Sequence, residues 1–201
     1  MVESPASESL DWRNGWKNRS EKFLEYGKQL NHPIRELIAE RAAEIGGTVL
    51  DVGCATCSDY PLHRDRGTRY IGRDITSKFI ERAKKRFPGV DVGYGDVLDL
   101  GFPDSSVDVV YCKDLLEHLP PEKYKQAIGE MYRVASRRVM VGFFLAPKQG
   151  ETEYRQSRNR HWVNRYSRKD VVEAFAAVGA DNVDITENIG YTSSALYVVD
   201  K

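Results

Sequence analysis

Apolar positions along this chain follow two periods. Over residues 33–45 they fall at Ile34, Leu37, Ile38, Ala42 and Ile45, one face of a helix that Pro33 opens and Gly46-Gly47 ends. From Thr48 onward, short apolar runs alternate with amphipathic stretches. TVLDVG (48–53), RYIGRDI (69–75), VDVGYGDV (90–97), SVDVVYC (106–112) and RRVMVGFFLA (137–146) read as strands. Between them, SKFIERAKKRF reads as a helix capped by Thr76 and stopped by Pro88-Gly89, and PEKYKQAIGEMYRVA (121–135) as another. Ser167-x-x-Asp170 has the form of a capping box before VVEAFAAVG, and DNVDITE with SALYVVD forms a closing hairpin. Strands separated by helices require right-handed crossovers. The predicted architecture is therefore α/β: a three-layer, Rossmann-like, mostly parallel sheet to which the hairpin adds an antiparallel edge strand.

Composition narrows the function classes. Thirty basic and thirty acidic residues cancel, so a general electrostatic footprint for nucleic acid is not expected. No apolar run has the length of a membrane span, and the first sixteen residues lack a secretory pattern. Three cysteines, an odd number, do not suggest a disulfide framework, which points to a cytoplasmic protein. Residues 1–32 read as an N-terminal extension in which Trp12, Trp16 and Tyr26 could form a lid helix or pack on the sheet. Residues 33–201 read as the main domain.

In open α/β sheets a ligand binds outside the carboxyl ends of the strands. Here those ends carry Asp51, Gly53, Cys54 and Ala55, then Asp74, then Asp96-Val97, then Cys112, Lys113 and Asp114. Asp74 stands 21 residues beyond Gly53, the position from which a carboxylate accepts both hydroxyls of a ribose. A second carboxylate at Asp96 suits the exocyclic amine of a purine. Three acidic groups around one nucleoside pocket argue against a pyrophosphate, which wants N–H groups and cations. A cationic ligand carrying an amine, a ribose and an adenine suits the charges better, and S-adenosylmethionine is such a ligand.

Taken together, VLDVGCATC, YIGRDIT, GDVLDLGFPDSSVDVVYCKDLLEHL and EMYRVASRRVMV resemble a class I S-adenosylmethionine-dependent methyltransferase, on the branch that methylates quinone precursors and other small molecules. The resemblance covers residues 46–146, with a looser match to the end. It implies a seven-stranded sheet with one antiparallel strand near the C-terminus. It implies that Asp51 and Gly53, with Cys54 and Ala55, hold the methionine end, Asp51 through water or the ammonium. Asp74 would take the ribose, Ile75 would pack on the adenine, Asp96 would take its amino group and the Val97 N–H would reach a ring nitrogen. The backbone at Cys112 and Lys113 would line the methionine moiety. The family loop G-x-G-x-G is altered here to Gly53-x-Ala55-x-Cys57.

Other groups remain in play. Cys54, Cys57 and Cys112, with His63 or His118, could form a zinc site, against the simpler reading of small-residue packing. Since the sulfonium is already activated, a base is needed only for a protonated acceptor; His118 and His161 are the catalytic candidates, and Glu117 reads as solvent-facing or structural. The long stretch 147–167, with Arg155, Arg158, Arg160, Arg165 and then Arg168, reads either as a lid that selects an anionic small-molecule acceptor and supplies Tyr154, His161 or Trp162, or as a solvated surface loop. Two rivals stay open: a dinucleotide-dependent oxidoreductase, and a methyltransferase-like binding module without turnover. Against the first, Ser58 stands where G-x-G-x-x-G needs its last glycine.

Overall fold

The computed structural model describes residues 32–157, 162–190 and 193–201. Trp12, Trp16, Tyr26 and the proposed N-terminal lid lie outside the described residues, as do Arg158, Arg160 and His161. The described elements run α1 (Pro33–Ile45), β1 (Thr48–Val52), α2 (Tyr60–Arg64), β2 (Arg69–Asp74), α3 (Ser77–Arg86), β3 (Asp91–Tyr94), β4 (Val107–Lys113), a 3-10 turn (Leu116–His118), α4 (Lys123–Val134), β5 (Ala135–Phe143), α5 (Arg168–Ala176), β6 (Asp184–Glu187) and β7 (Ala195–Asp200). They form one seven-stranded sheet in the order β3-β2-β1-β4-β5-β7-β6. The pairs among β1 to β5 are parallel, and β7 is antiparallel to both of its neighbours.

The alternation along each strand builds two cores. Leu50, Val52, Val110, Cys112, Val139 and Val141 face α4 and α5, where Ile128, Met131 and Phe175 are fully buried. Val49, Val109, Tyr111, Met140 and Leu196 face the other way, onto Ile34, Ile38 and Ala42 of α1. A third cluster packs Ile80 and Ala83 of α3 on Tyr70 and Val92, on the α1 side of the sheet. Fully burying a side chain such as Ile or Leu stabilises by roughly 1.5–3 kcal/mol. The sheet thus becomes a rigid platform whose strand ends sit at one rim.

Three local expectations change. The closing hairpin does not put its antiparallel strand on the edge: β7, buried along nearly its whole length, inserts between β5 and β6, and the half-exposed β6 becomes the edge. A strand apolar on both faces belongs inside a sheet. The third strand ends at Tyr94, and the Gly95 N–H makes its last ladder bond, to the Asp74 carbonyl. Thr76 occupies the N-cap of α3, but its side chain makes no capping bond; its N–H donates to the Asp74 carboxylate instead. Ser167, by contrast, accepts from the Asp170 N–H at 3.1 Å and caps α5.

Candidate functional site

β1 leads into a loop that is stitched to the end of β2. The Gly53 and Cys54 N–H groups donate to the Arg73 carbonyl at 2.7 and 3.2 Å, and the Ala55 N–H donates to Asp74 Oδ2 at 2.9 Å. Gly53, Ala55 and Cys57 all adopt positive φ, at 75, 47 and 53°. The left-handed region costs a residue with a Cβ about 1–2 kcal/mol, so Ala55 and Cys57 hold strained positions that glycine would fill freely. The side chain of Cys57 points beneath the loop and is fully buried. Its sulfur lies 3.7 Å from that of Cys54, and both rest on Gly72 of β2. Gly72 makes this packing possible: a Cβ there would stand 2.8 Å from Cys54 Sγ and 3.0 Å from Cys57 Sγ.

Above the strand ends lies a cavity of about 580 Å³. Its walls come from the loops after β1, β2, β3 and β4, with Arg35 of α1 and the exposed basic face of α3 at one side. Gly53, Cys54, Ala55, Asp74, Ile75, Asp96, Val97, Lys113 and His118 all line it. Asp74 is buried, and its two carboxylate oxygens each accept a backbone N–H, from Thr76 at 2.8 Å and from Ala55. Burial outweighs these donors and raises its pKa. A carboxylate has about four acceptor sites, so two remain for a ligand. Asp96 Oδ1 accepts from the Leu98 N–H at 3.0 Å, which fixes the turn after β3.

Two expected site residues are not in the cavity wall. Asp51 precedes the last residue of β1, and period two turns its side chain onto the face covered by α1 and α2. There Tyr70 donates to its Oδ2 at 2.6 Å and Tyr111 donates as well. Burial, then the charge of Asp59, pushes Asp51 up to about 7. Cys112 points to the opposite face and is buried among Leu50, Val110 and Val141. The three cysteines therefore do not converge. Nor does His63 join them: it stacks on Tyr111 with ring centroids 5.3 Å apart, and burial lowers its pKa to about 4. Among the described residues, no group of three or more His, Cys, Asp and Glu is arranged to hold a metal ion.

Below the cavity floor, Asp59 neutralises two cations. Arg35 Nε reaches its Oδ1 at 2.5 Å, and Lys113 Nζ lies 3.3 Å from Oδ2. Burial opposes the charge on both partners, yet each holds the other ionised: Asp59 sits below its ordinary value and Lys113 above.

His118 lies in the 3-10 turn, and its Nδ1 is 2.9 Å from the Trp162 carbonyl. The same turn is clamped by Asn164, whose N–H donates to the Glu117 carbonyl and whose amide donates to the Leu119 carbonyl, both at 2.9 Å. The segment 162–166 is thus tied beneath the turn. None of the described residues of 147–167, Tyr154 included, lines the cavity; the described part of the stretch meets the site where the Trp162 carbonyl contacts His118. Glu117 is not solvent-facing: it is 4 % exposed, accepts from the Phe144 N–H at 2.9 Å, and burial, with Asp114 nearby, raises it to about 8.

The cavity also contains Asp114, placed at the strand ends by the sequence but given no role, and residues that strand-end spacing did not single out, notably Leu115, Phe79 and Arg35. Asp114 follows the end of β4 by one residue, a signal that was present in the KDLLEH string. Arg35 had none, since it comes from a helix on another part of the chain.

Comparison with known proteins adds the decisive observation. Residues 49–137, which span β1 to β5 and so every strand end of the cavity, match the family described as methyltransferase domain. Over these residues the chain is similar to S-adenosylmethionine-dependent methyltransferases. Among curated relatives of this chain, a probable S-adenosylmethionine-dependent methyltransferase of Mycolicibacterium smegmatis is 34% identical over 50% of this chain and 38% of its own length. The 27-O-demethylrifamycin SV methyltransferase of Amycolatopsis mediterranei is 28% identical over 69% and 53% of the two chains. This chain spans about half or less of such relatives. Among solved structures, the 1,6-didemethyltoxoflavin-N1-methyltransferase of Burkholderia thailandensis, with bound S-adenosylhomocysteine, shares the fold at a TM-score of 0.80, with 13% identity over 100% of this chain and 92% of that one. No helix among the described residues is long and apolar enough to cross a membrane. Its altered loop keeps the left-handed backbone of the glycine positions, and Cys57 is absent from the cavity wall.

Proposed function

We propose that this chain binds S-adenosylmethionine in the 580 Å³ cavity and transfers its methyl group to a small-molecule acceptor by direct displacement. The observation that carries the reading is Asp74, held at the rim by two backbone N–H groups with acceptor sites left over for a ribose diol. Ile75, Val97 and Leu119 offer apolar surface for an adenine, and Asp96 an acceptor for its amine. When bound, the cofactor supplies a methyl group already activated by the sulfonium. The chain's own contribution is alignment, which in well-oriented reactions reaches effective molarities of about 10⁵–10⁸ M. With Nδ1–H donating to the Trp162 carbonyl, neutral His118 has Nε2 as its proton-accepting nitrogen, the form a general base for a protonated acceptor requires. His161, outside the described residues, remains a second candidate. Asp51 supports the site from beneath through its tyrosine bonds.

Calorimetric titration with S-adenosylhomocysteine tests this, with NAD as control, for wild type and Asp74→Ala. Hydrogen bonds to a charged group contribute about 1.5–3 kcal/mol, so the variant should bind about 10- to 100-fold more weakly. A well-folded wild type that ignores S-adenosylhomocysteine would overturn the reading in favour of a fold reused without the cofactor.

A further inference from the structure

We propose that Asp114 is the carboxylate that receives the ammonium group at the methionine end of the cofactor, the role expected of Asp51; this rests on the cofactor reading above. The register of β1 and β4 pairs Val52 with Cys112, which brings Asp114 beside the Gly53–Cys54 turn. Leu115 packs on that turn, its Cδ1 3.0 Å from where a Gly53 Cβ would stand. Asp74 leaves the sheet from β2, on the other side of β1. Asp74 and Asp114 thus flank the loop from strands two spacings apart, roughly 10 Å. Six bonds separate the ribose ring of the cofactor from its amino nitrogen, a span long enough for such a gap.

The charges point the same way. Asp51, the other carboxylate at this end, faces away from the cavity and is occupied by Tyr70 and Tyr111. Lys113, next in sequence to Asp114, directs its ammonium to Asp59, which Arg35 also neutralises. Asp114 lines the cavity, and among the described residues its carboxylate has no hydrogen-bond donor and no ion-pair partner. Burial raises its pKa to about 6; the neighbouring Lys113 ammonium, paired with Asp59, offsets this only in part. Its backbone is also held in the left-handed region, φ 53°, by an N–H that donates to the Gly142 carbonyl at 3.2 Å. Strain of this kind persists where the surroundings impose it, and it clusters at binding sites. A ligand ammonium would supply the missing partner.

The test is calorimetry on Asp114→Asn, which keeps the side-chain shape and tolerates the left-handed backbone. Three probes separate the parts of the ligand. S-adenosylhomocysteine carries the ammonium and the carboxylate, its decarboxylated form keeps the amine alone, and 5′-methylthioadenosine lacks both. The expected result is a loss of about tenfold or more for the first two and no change for the third. An equal loss for all three, or none for any, would overturn the proposal; the latter outcome would turn Asp114 toward the acceptor. If wild type binds 5′-methylthioadenosine, the cofactor reading stands whatever the variant does. If wild type binds none of the three, both readings fall together.

Discussion

Gly72→Ala should damage this protein through two sulfur atoms. Gly72 is buried in β2 between Asp51 and Val92. An added Cβ would meet Cys54 Sγ at 2.8 Å, Cys57 Sγ at 3.0 Å and Cys54 Cβ at 3.2 Å, all inside normal contact. The loop has little freedom to rise, because three N–H groups from Gly53 to Ala55 bind Arg73 and Asp74. Overpacking a closed site of this kind costs about 1–3 kcal/mol. In a chain of this size each kcal/mol shifts Tm by roughly 2–4 °C. Lifting the loop would also draw the Ala55 N–H off Asp74 and weaken S-adenosylhomocysteine. The decisive comparison places Gly72→Ala in a Cys54→Ala/Cys57→Ala background, where the new methyl occupies the space of the missing sulfurs. There its cost should drop by about 1–2 kcal/mol, a coupling typical of contacting residues. Urea unfolding of the four proteins measures it. Equal costs in the two backgrounds would refute the reasoning, as would a cost below about 0.5 kcal/mol in the wild-type background.

Two further outcomes follow from the same geometry. Ala55→Gly removes a left-handed alanine at φ 47°; relief of about 1–2 kcal/mol exceeds the unfolded-chain entropy that glycine restores, about 0.4–1 kcal/mol, so Tm should rise, and a lower Tm in a thermal melt would count against the strain. Glu117 holds its proton to about pH 8 in the folded chain against an ordinary value of 4.5. Between those values the unfolded chain binds fewer protons, so wild-type stability falls as pH rises through this window. Glu117→Gln removes that slope: the two proteins should be similar at pH 4 and diverge toward pH 8, up to a ceiling of roughly 5 kcal/mol, read from urea midpoints. Parallel pH profiles would show that Glu117 is ionised in place.

How much of this was legible beforehand differs by residue. Asp74, Ile75, Asp96 and Val97 follow strands whose ends are marked by local pattern, and all four line the cavity. Cys57 read as an alteration of the family loop; it turns under the backbone because Gly72, a residue on another strand, leaves room. Asp51 read as a cofactor ligand by its motif, whereas pleat alternation turns it to two tyrosines on neighbouring strands. The closing hairpin was visible, but not that β7 would slide inside β6.

The order of strands and helices, the parallel sense of β1 to β5 and the rim where their ends collect were determined by the sequence alone. Each depends on hydrophobic period, turn residues and the handedness of crossovers, all short-range along the chain. Tertiary structure decided which charges cancel. Asp59 takes Arg35 and Lys113, Asp51 takes Tyr70 and Tyr111, and Asp114 is left facing the cavity. A carboxylate's state depends on burial and on the nearest donors, and these arrive from strands and helices that no spacing rule connects.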